Sequence, residues 1–175
     1  MSRVVLSAED VSRSLKRIAH EIIESVSDSK TVVVLGIPTR GVHLAKRLAD
    51  VLNDLKPGFS AKAGVLDVTM YRDDSVSPTR AMVESQIPAT GLDGETVILV
   101  DDVLYSGRTI RAALDAVTDF GRPSRVKLAV IIDRGHRELP IRPDFVGKNL
   151  PTSSQERVHV RIVEVDGVDE VVIES

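Results

Sequence analysis

The amino-acid sequence predicts an α/β fold, a mostly parallel, doubly wound sheet in a single domain spanning 1–175. Three observations carry this. Apolar, β-branched-rich runs at Thr31–Ile37, Thr96–Val100 and Arg125–Asp133 read as strands buried on both faces. Segments with apolar residues at helical spacing alternate with them. Each run then ends in charged or small polar residues: Thr39-Arg40-Gly41, Asp101–Thr109 and Asp133–Arg137. In a parallel sheet those carboxyl ends lie along one edge, where ligands bind.

The first helix begins at Ser7, a residue suited to accept from the unpaired N–H groups of a helix start, with Glu9 and Asp10 where the dipole favours acids. Val11, Leu15, Ile18, Ala19, Ile22, Ile23 and Val26 form its apolar stripe, opposite Arg13, Lys16, Arg17 and His20. After the strand at Thr31–Ile37, Val42, Ala45, Leu48, Ala49 and Leu52 mark a second helix, closed by Lys56-Pro57-Gly58. Ala63–Thr69 offers a shorter strand. No period holds from Arg72 to Gly94, and a loop of that length in a compact domain is a lid or binding loop, with room for a short hairpin. The strand at Thr96–Val100 leads to a helix over Thr109–Phe120, which Gly121-Arg122-Pro123 ends. The strand Arg125–Asp133 and a polar stretch follow, and Val158–Val163 and Val168–Ile173 finish the chain as edge strands.

No apolar run approaches the roughly 20 residues of a membrane span. The segment Met1–Asp10 lacks the apolar core of a signal peptide, and with no cysteine there is no disulfide, thiol nucleophile or thiolate metal site. A cytoplasmic protein is expected. Two tyrosines, three phenylalanines and no tryptophan leave little for stacking on bases, so any nucleic-acid binding would work through charge and shape.

The chemistry centres on Val97–Thr109, VILVDDVLYSGRT. Burying an unpaired carboxylate is expensive, so Asp101 and Asp102 at a strand end point to an open crevice. Adjacent residues of an extended chain face opposite ways, which excludes an acid and nucleophile pair facing each other across a glycosidic bond. One carboxylate can accept from ligand hydroxyls while the other orients the loop or a metal-bound water. Tyr105-Ser106-Gly107-Arg108-Thr109 brings backbone N–H groups and two hydroxyls to a helix start, which suits a phosphate monoester. Vicinal hydroxyls beside a phosphate suggest a ribose 5-phosphate. Neither a Walker loop nor a Gly-x-Gly-x-x-Gly fingerprint is present.

This stretch resembles the phosphoribosyl pyrophosphate signature of the type I phosphoribosyltransferases. That resemblance implies their fold, with a small hood subdomain (roughly 134–160 plus the C-terminal strands) and a flexible lid. Asp101 and Asp102 would bind the ribose hydroxyls, and Val103 with the loop Leu104, Tyr105, Ser106, Gly107, Arg108 and Thr109 the 5-phosphate. Thr39, Arg40 and Gly41 would hold pyrophosphate, and Arg72 and Arg80 would meet substrate from the lid. Together GIPTRGVHLAKRLA, MYRDD, DDVLYSGRT, GRPSRVKLAVIIDRGHRELPIRPDFVGKN and PTS resemble the pyrimidine-operon regulatory proteins with uracil phosphoribosyltransferase activity.

The narrower resemblance implies that uracil and 5-phosphoribosyl 1-pyrophosphate give UMP and pyrophosphate, with Mg²⁺ carried by the substrate's pyrophosphate rather than by a protein metal site. Arg40, Asp101 and Asp102 would be the catalytic residues. Arg134 would flank the nucleotide, and main chain near Val158 would read the pyrimidine edge. No dedicated general base stands out; His136 is a weak alternative. Between Arg122 and Lys148 basic residues exceed acidic ones by four in a chain of net charge −3, which alone fits phosphate substrates as well as RNA. By resemblance, a homodimer or higher homo-oligomer would bind pyrimidine-operon leader RNA through His20, Arg137, Arg142 and Lys148, under control of UMP or UTP. The alternatives are a plain nucleobase salvage enzyme and an RNA regulator with vestigial catalysis.

Overall fold

The computed structural model describes residues 1–73 and 81–175. Its frame is a five-stranded, all-parallel sheet in the order β3-β2-β4-β5-β6. The strands are β2 (Thr31–Gly36), β3 (Ser60–Val65), β4 (Thr96–Leu104), β5 (Arg125–Asp133) and β6 (Phe145–Asn149). A second, antiparallel sheet joins the ends of the chain: β1 (Ser2–Leu6), β8 (Glu170–Glu174) and β7 (Arg157–Arg161), in that order.

Helices cover both faces of the parallel sheet, as doubly wound topology requires. Alternation along β2 shows how the two cores form: Val32 and Val34 join one apolar cluster, Val33 and Leu35 the other. The first cluster is closed by α1 (Ala8–Ser25) and α2 (Arg40–Leu55), through Leu15, Ile18, Ile22, Leu44, Leu48 and Leu52. The second is closed by α3 (Arg108–Val117), through Ile110, Ala113 and Val117. Because β2, β4 and most of β5 are buried on both sides, their sequences read as unbroken apolar runs.

The expected start of α1 is observed in full. The Ser7 hydroxyl accepts from the Asp10 N–H, and the Asp10 carboxylate accepts from the Ser7 N–H at 2.9 Å, a reciprocal capping box. Donation to that carboxylate by the Ser7 N–H, by the Ser7 hydroxyl at 2.8 Å and by Arg13 holds the Asp10 carboxyl down at about 2.

Several boundaries differ from the sequence reading. Strand β3 lies at Ser60–Val65 rather than Ala63–Thr69, and a 3₁₀ turn occupies Thr69–Tyr71. Helix α3 spans Arg108–Val117 rather than Thr109–Phe120, so Gly121 lies beyond a further turn and not at the helix end. Of the hairpin for which the long loop had room, the described residues show a single antiparallel bridge, Val65 with Gln86. Strands β1 and β6 were not expected, because polar and small residues interrupt both. The two C-terminal strands do not edge the main sheet. They form the second sheet, where β8 is central because β1 pairs with its far side, and the short helix α4 (Val163–Asp166) lies between them.

Most consequential is β4, which does not end at Val100 but continues through both aspartates to Leu104. Its partner β2 stops at Gly36, opposite Val100, while β5 stays paired through Leu104–Asp133. Beyond Val100 one edge of β4 therefore loses its neighbour, and a crevice opens there.

Replacing Ser7 with Ala removes the cap and should lower stability by about 1 kcal/mol, measured as a shift in the urea midpoint with unchanged slope.

Candidate active site

The crevice is walled by three loops at the carboxyl ends of β2, β4 and β5. The loop after β2 is compact: the Ile37 N–H donates to the Val100 carbonyl at 3.0 Å, and the Pro38–Thr39 peptide is cis. Helix α2 starts at once at Arg40. A side chain at Gly41 would place its Cβ 2.5 Å from the Val100 oxygen, so only glycine lets this helix start approach β4.

Asp101 is 8 % exposed and Asp102 half-buried, as opposite faces of a strand dictate. Each carboxylate accepts from the next backbone N–H: Asp102 N to Asp101 Oδ1 at 2.9 Å, and Val103 N to Asp102 Oδ1 at 2.8 Å. Two adjoining cavities share Arg72, Asp101, Val103 and Thr109. One, of about 420 Å³, adds Pro38, Thr39, Arg40 and Asp102. The other, of about 340 Å³, adds Leu104–Arg108, Ile110 and Glu138. Gly107 takes a left-handed φ of 94° as the N-cap of α3 and supplies no side-chain cap, so the positive end of that helix faces the second cavity. Arg72 Nη1 donates to Thr109 Oγ1 at 3.1 Å across the junction of the two cavities.

The loop after β5 forms the hood, with a third cavity of about 380 Å³ lined by Asp133–His136, Asn149, Pro151 and Thr152. Arg134 is 8 % exposed, and its guanidinium donates to Thr152 Oγ1 and to the Ser153 and Glu156 carbonyls. Its flat face stacks 4.3 Å from the centre of the Tyr105 ring. The His136 ring meets Tyr105 edge-on at 6.0 Å, its Nε2 bonds the Thr152 carbonyl oxygen, and its φ of 63° marks a constrained turn. Arg137 bridges the hood and the β4 loop, donating to Asp133 Oδ2 at 2.6 Å, the Ile141 carbonyl at 2.8 Å and the Tyr105 carbonyl at 3.0 Å. Burial works against ionisation of Asp133, but the bonds from Arg137 and the Gly135 N–H outweigh it and hold that carboxyl below its ordinary range.

The structure thus brings Thr39, Arg40, Arg72, Asp101, Asp102 and 103–109 to one crevice, with Gly41 packed behind it. Arg108 has further partners, Asp73 Oδ2 at 3.2 Å and Glu138 Oε2 at 2.7 Å, which tie together the two banks of the second cavity. Val158, on β7, lies apart, paired with Ile173 of β8 and packed against the core. Arg80 falls outside the described residues. His20, Arg142 and Lys148 are exposed, on α1, ahead of β6 and on β6. Arg137 is instead half-buried and internally bonded. Sequence reasoning missed Glu138 and Asp166, whose carboxylate grips Arg40 through Nε at 3.0 Å and Nη2 at 2.7 Å. The only signal was the acidic run Glu164, Asp166, Asp169, which does not reveal a partner 126 positions away.

Comparison with known proteins agrees with this geometry. The family described as the phosphoribosyl transferase domain matches residues 5–161. A protein of Streptomyces coelicolor called bifunctional protein PyrR is 58% identical over 173 residues, 98% of this chain and 89% of its own. A PyrR protein of Leifsonia xyli is 58% identical over 180 residues, covering 100% of this chain and 98% of its own. The chain belongs to the phosphoribosyltransferase family, in its PyrR branch. Its fold is the type I phosphoribosyltransferase fold: a hypoxanthine phosphoribosyltransferase of Trypanosoma cruzi superposes with a TM-score of 0.74 at 16% identity, over 99% of this chain and 91% of that one.

Among the described residues no group of three or more His, Cys, Asp or Glu could hold a metal alone. The carboxylates of Asp101 and Asp102 beside the cavities suit a Mg²⁺ that keeps most of its shell in water and substrate phosphate.

Gly41→Ala should cost about 1–3 kcal/mol by driving a methyl into the Val100 carbonyl. A calorimetric melting scan checks this, and an unchanged melting temperature would show that the close approach is dispensable.

Proposed function

We propose that this protein transfers a phosphoribosyl group to uracil in the cytoplasm, giving UMP and pyrophosphate, and also binds pyrimidine-operon leader RNA under control of UMP or UTP. One observation carries the enzymatic half: the pyrophosphate-type loop, paired aspartates and anion cradle line adjoining cavities that share four residues. Only a ligand with a phosphate at one end, hydroxyls in the middle and a second anion at the other uses all three.

In this reading the first-turn N–H groups of α3, with Ser106 and Thr109 Oγ1, hold the 5-phosphate. Asp101 and Asp102 accept from the ribose hydroxyls and fix the sugar. As the bond to pyrophosphate breaks, positive charge grows on the anomeric carbon, and carboxylates that hold the ribose hydroxyls would favour it electrostatically. Arg40 and the backbone around Thr39 receive the departing pyrophosphate. Mg²⁺, when bound with the substrate, supplies charge neutralisation on the leaving group. Uracil enters from the hood side. There the Arg134–Tyr105 stack fixes the wall, so Arg134 acts by holding the hood in place and not by a direct bond to the base. The pairing of Nε2 with Thr152 leaves His136 the same kind of role.

The second activity is supported by the name of the relatives, bifunctional protein PyrR. It is also supported by the exposure of His20, Arg142 and Lys148. In a homodimer or higher assembly these cations would add to those of a second copy. Arg137, held by Asp133 and two carbonyls, braces the hood, and the donors it has left are those it would offer an RNA phosphate. The alternatives remain a nucleobase salvage enzyme without RNA regulation and a regulator with vestigial catalysis. An activity panel with uracil, hypoxanthine and orotate, beside gel shifts with leader RNA with and without UMP, separates all three.

Asp102→Asn should lower transfer by roughly ten- to a hundred-fold, the size of a lost charged hydrogen bond, while RNA affinity stays unchanged. Equal loss of both activities in paired assays would sink this division of labour. Lys148→Gln should weaken RNA binding and reduce the slope of log affinity against log salt by about one; an unaltered slope removes it from the phosphate contacts.

A further inference from the structure

We propose that Asp166 is the positioning residue for Arg40, holding its guanidinium in the posture that receives the leaving pyrophosphate. This rests on the phosphoribosyl-transfer reading of the crevice.

An arginine at the start of a helix has four rotatable bonds, and electrostatic catalysis works through donors fixed in advance of the reaction. Asp166 supplies that restraint from the opposite end of the chain. Its two oxygens accept from Nε at 3.0 Å and Nη2 at 2.7 Å of Arg40, a planar fork-to-fork pair. The carboxylate is itself seated, because Oδ2 also accepts from the Ile162 N–H at 2.9 Å.

The turn that carries Asp166 is anchored independently. Arg47, two helical turns after Arg40 and so on the same face of α2, donates from Nε to Glu164 at 2.8 Å and from Nη1 to Asp169 at 2.9 Å. Asp166 is thus presented by a turn that Arg40 does not have to hold.

Two readings of such a pair compete: the carboxylate steadies the arginine, or it occupies the place that pyrophosphate must take. The geometry favours the first. A guanidinium has five N–H donors, and the fork uses two of them. While so paired, Arg40 already lines the cavity beside Thr39 and Asp102. An anion can reach the remaining donors without displacing Asp166.

The test uses the full-length protein: steady-state transfer to uracil, pyrophosphate product inhibition, and calorimetric titration with pyrophosphate alone. The variants are Asp166→Ala, Asp166→Asn, Asp166→Glu, Arg40→Ala and the Arg40→Ala/Asp166→Ala double variant, with melting temperatures in parallel. Asp166→Ala should raise the phosphoribosyl pyrophosphate KM and the pyrophosphate Kd about tenfold, the scale of a lost charge-assisted contact, and leave the uracil KM unchanged. Asp166→Glu should recover most of this. In the Arg40→Ala background, removing Asp166 should change neither quantity further. Asp166→Asn keeps an acceptor for Ile162 and gives the same comparison if the alanine variant does not fold.

Unchanged or tighter pyrophosphate binding in the Asp166 variants overturns the proposal, as does an equal effect with Arg40 already removed. Absence of uracil transfer by the wild-type protein would overturn the enzymatic reading instead. The pyrophosphate titration still judges Asp166 in that case.

Discussion

The parting of β2 from β4 organises this molecule. The two strands pair in parallel as far as Gly36 and Val100, and then the first turns away while the second runs on for four residues. A sheet interior has no room for two carboxylates, since desolvation would force their protonation or break the strand. An extended strand missing one neighbour does have room. Its backbone stays ordered by β5 on one side, and its acidic side chains reach an open crevice on the other. The switch point is set by topology, because β2 connects outward to β3 and β4 connects the opposite way to β5.

Arginines do much of the assembly around that opening. Arg40 ties the first loop to α4, and Arg108 links Asp73 to Glu138 across the phosphate-type cavity. Arg137 joins the hood to the Tyr105 backbone, and Arg134 lies buried beneath the hood with its donors satisfied by oxygens of residues 152–156. A planar, permanently charged fork can hold a whole carboxylate through two parallel bonds and reach carbonyls in fixed directions, a geometry that a lysine's single ammonium does not match. The basic character of the segment from Arg122 to Lys148 is therefore partly structural. Some of its charge holds the hood, while Arg142 and Lys148 stand exposed.

The second sheet has a related purpose. Strand β1, from the beginning of the chain, and β7 pair with the two sides of β8, from its end, and the sheet carries α4 against α2. Residues more than a hundred positions apart thereby meet at Arg40. The loop that would receive a leaving anion is braced by the part of the chain farthest from it in sequence.

By itself the sequence determined the doubly wound sheet, its three central strands, α1 with its Ser7 cap, and the two loops that carry Arg40 and Asp101–Thr109. These are local or periodic signals: buried strands write continuous apolar runs, helices write a stripe, and a phosphate cradle needs glycine and hydroxyls in succession. Strands β1 and β6 stayed hidden because their stability comes from partners and not from their own composition. Only the tertiary structure decided where β4 ends, because that depends on β5 continuing alongside it. It alone decided that Arg134 and Arg137 face inward, and that Asp166 grips Arg40, because contacts between distant segments leave no period in the chain to read.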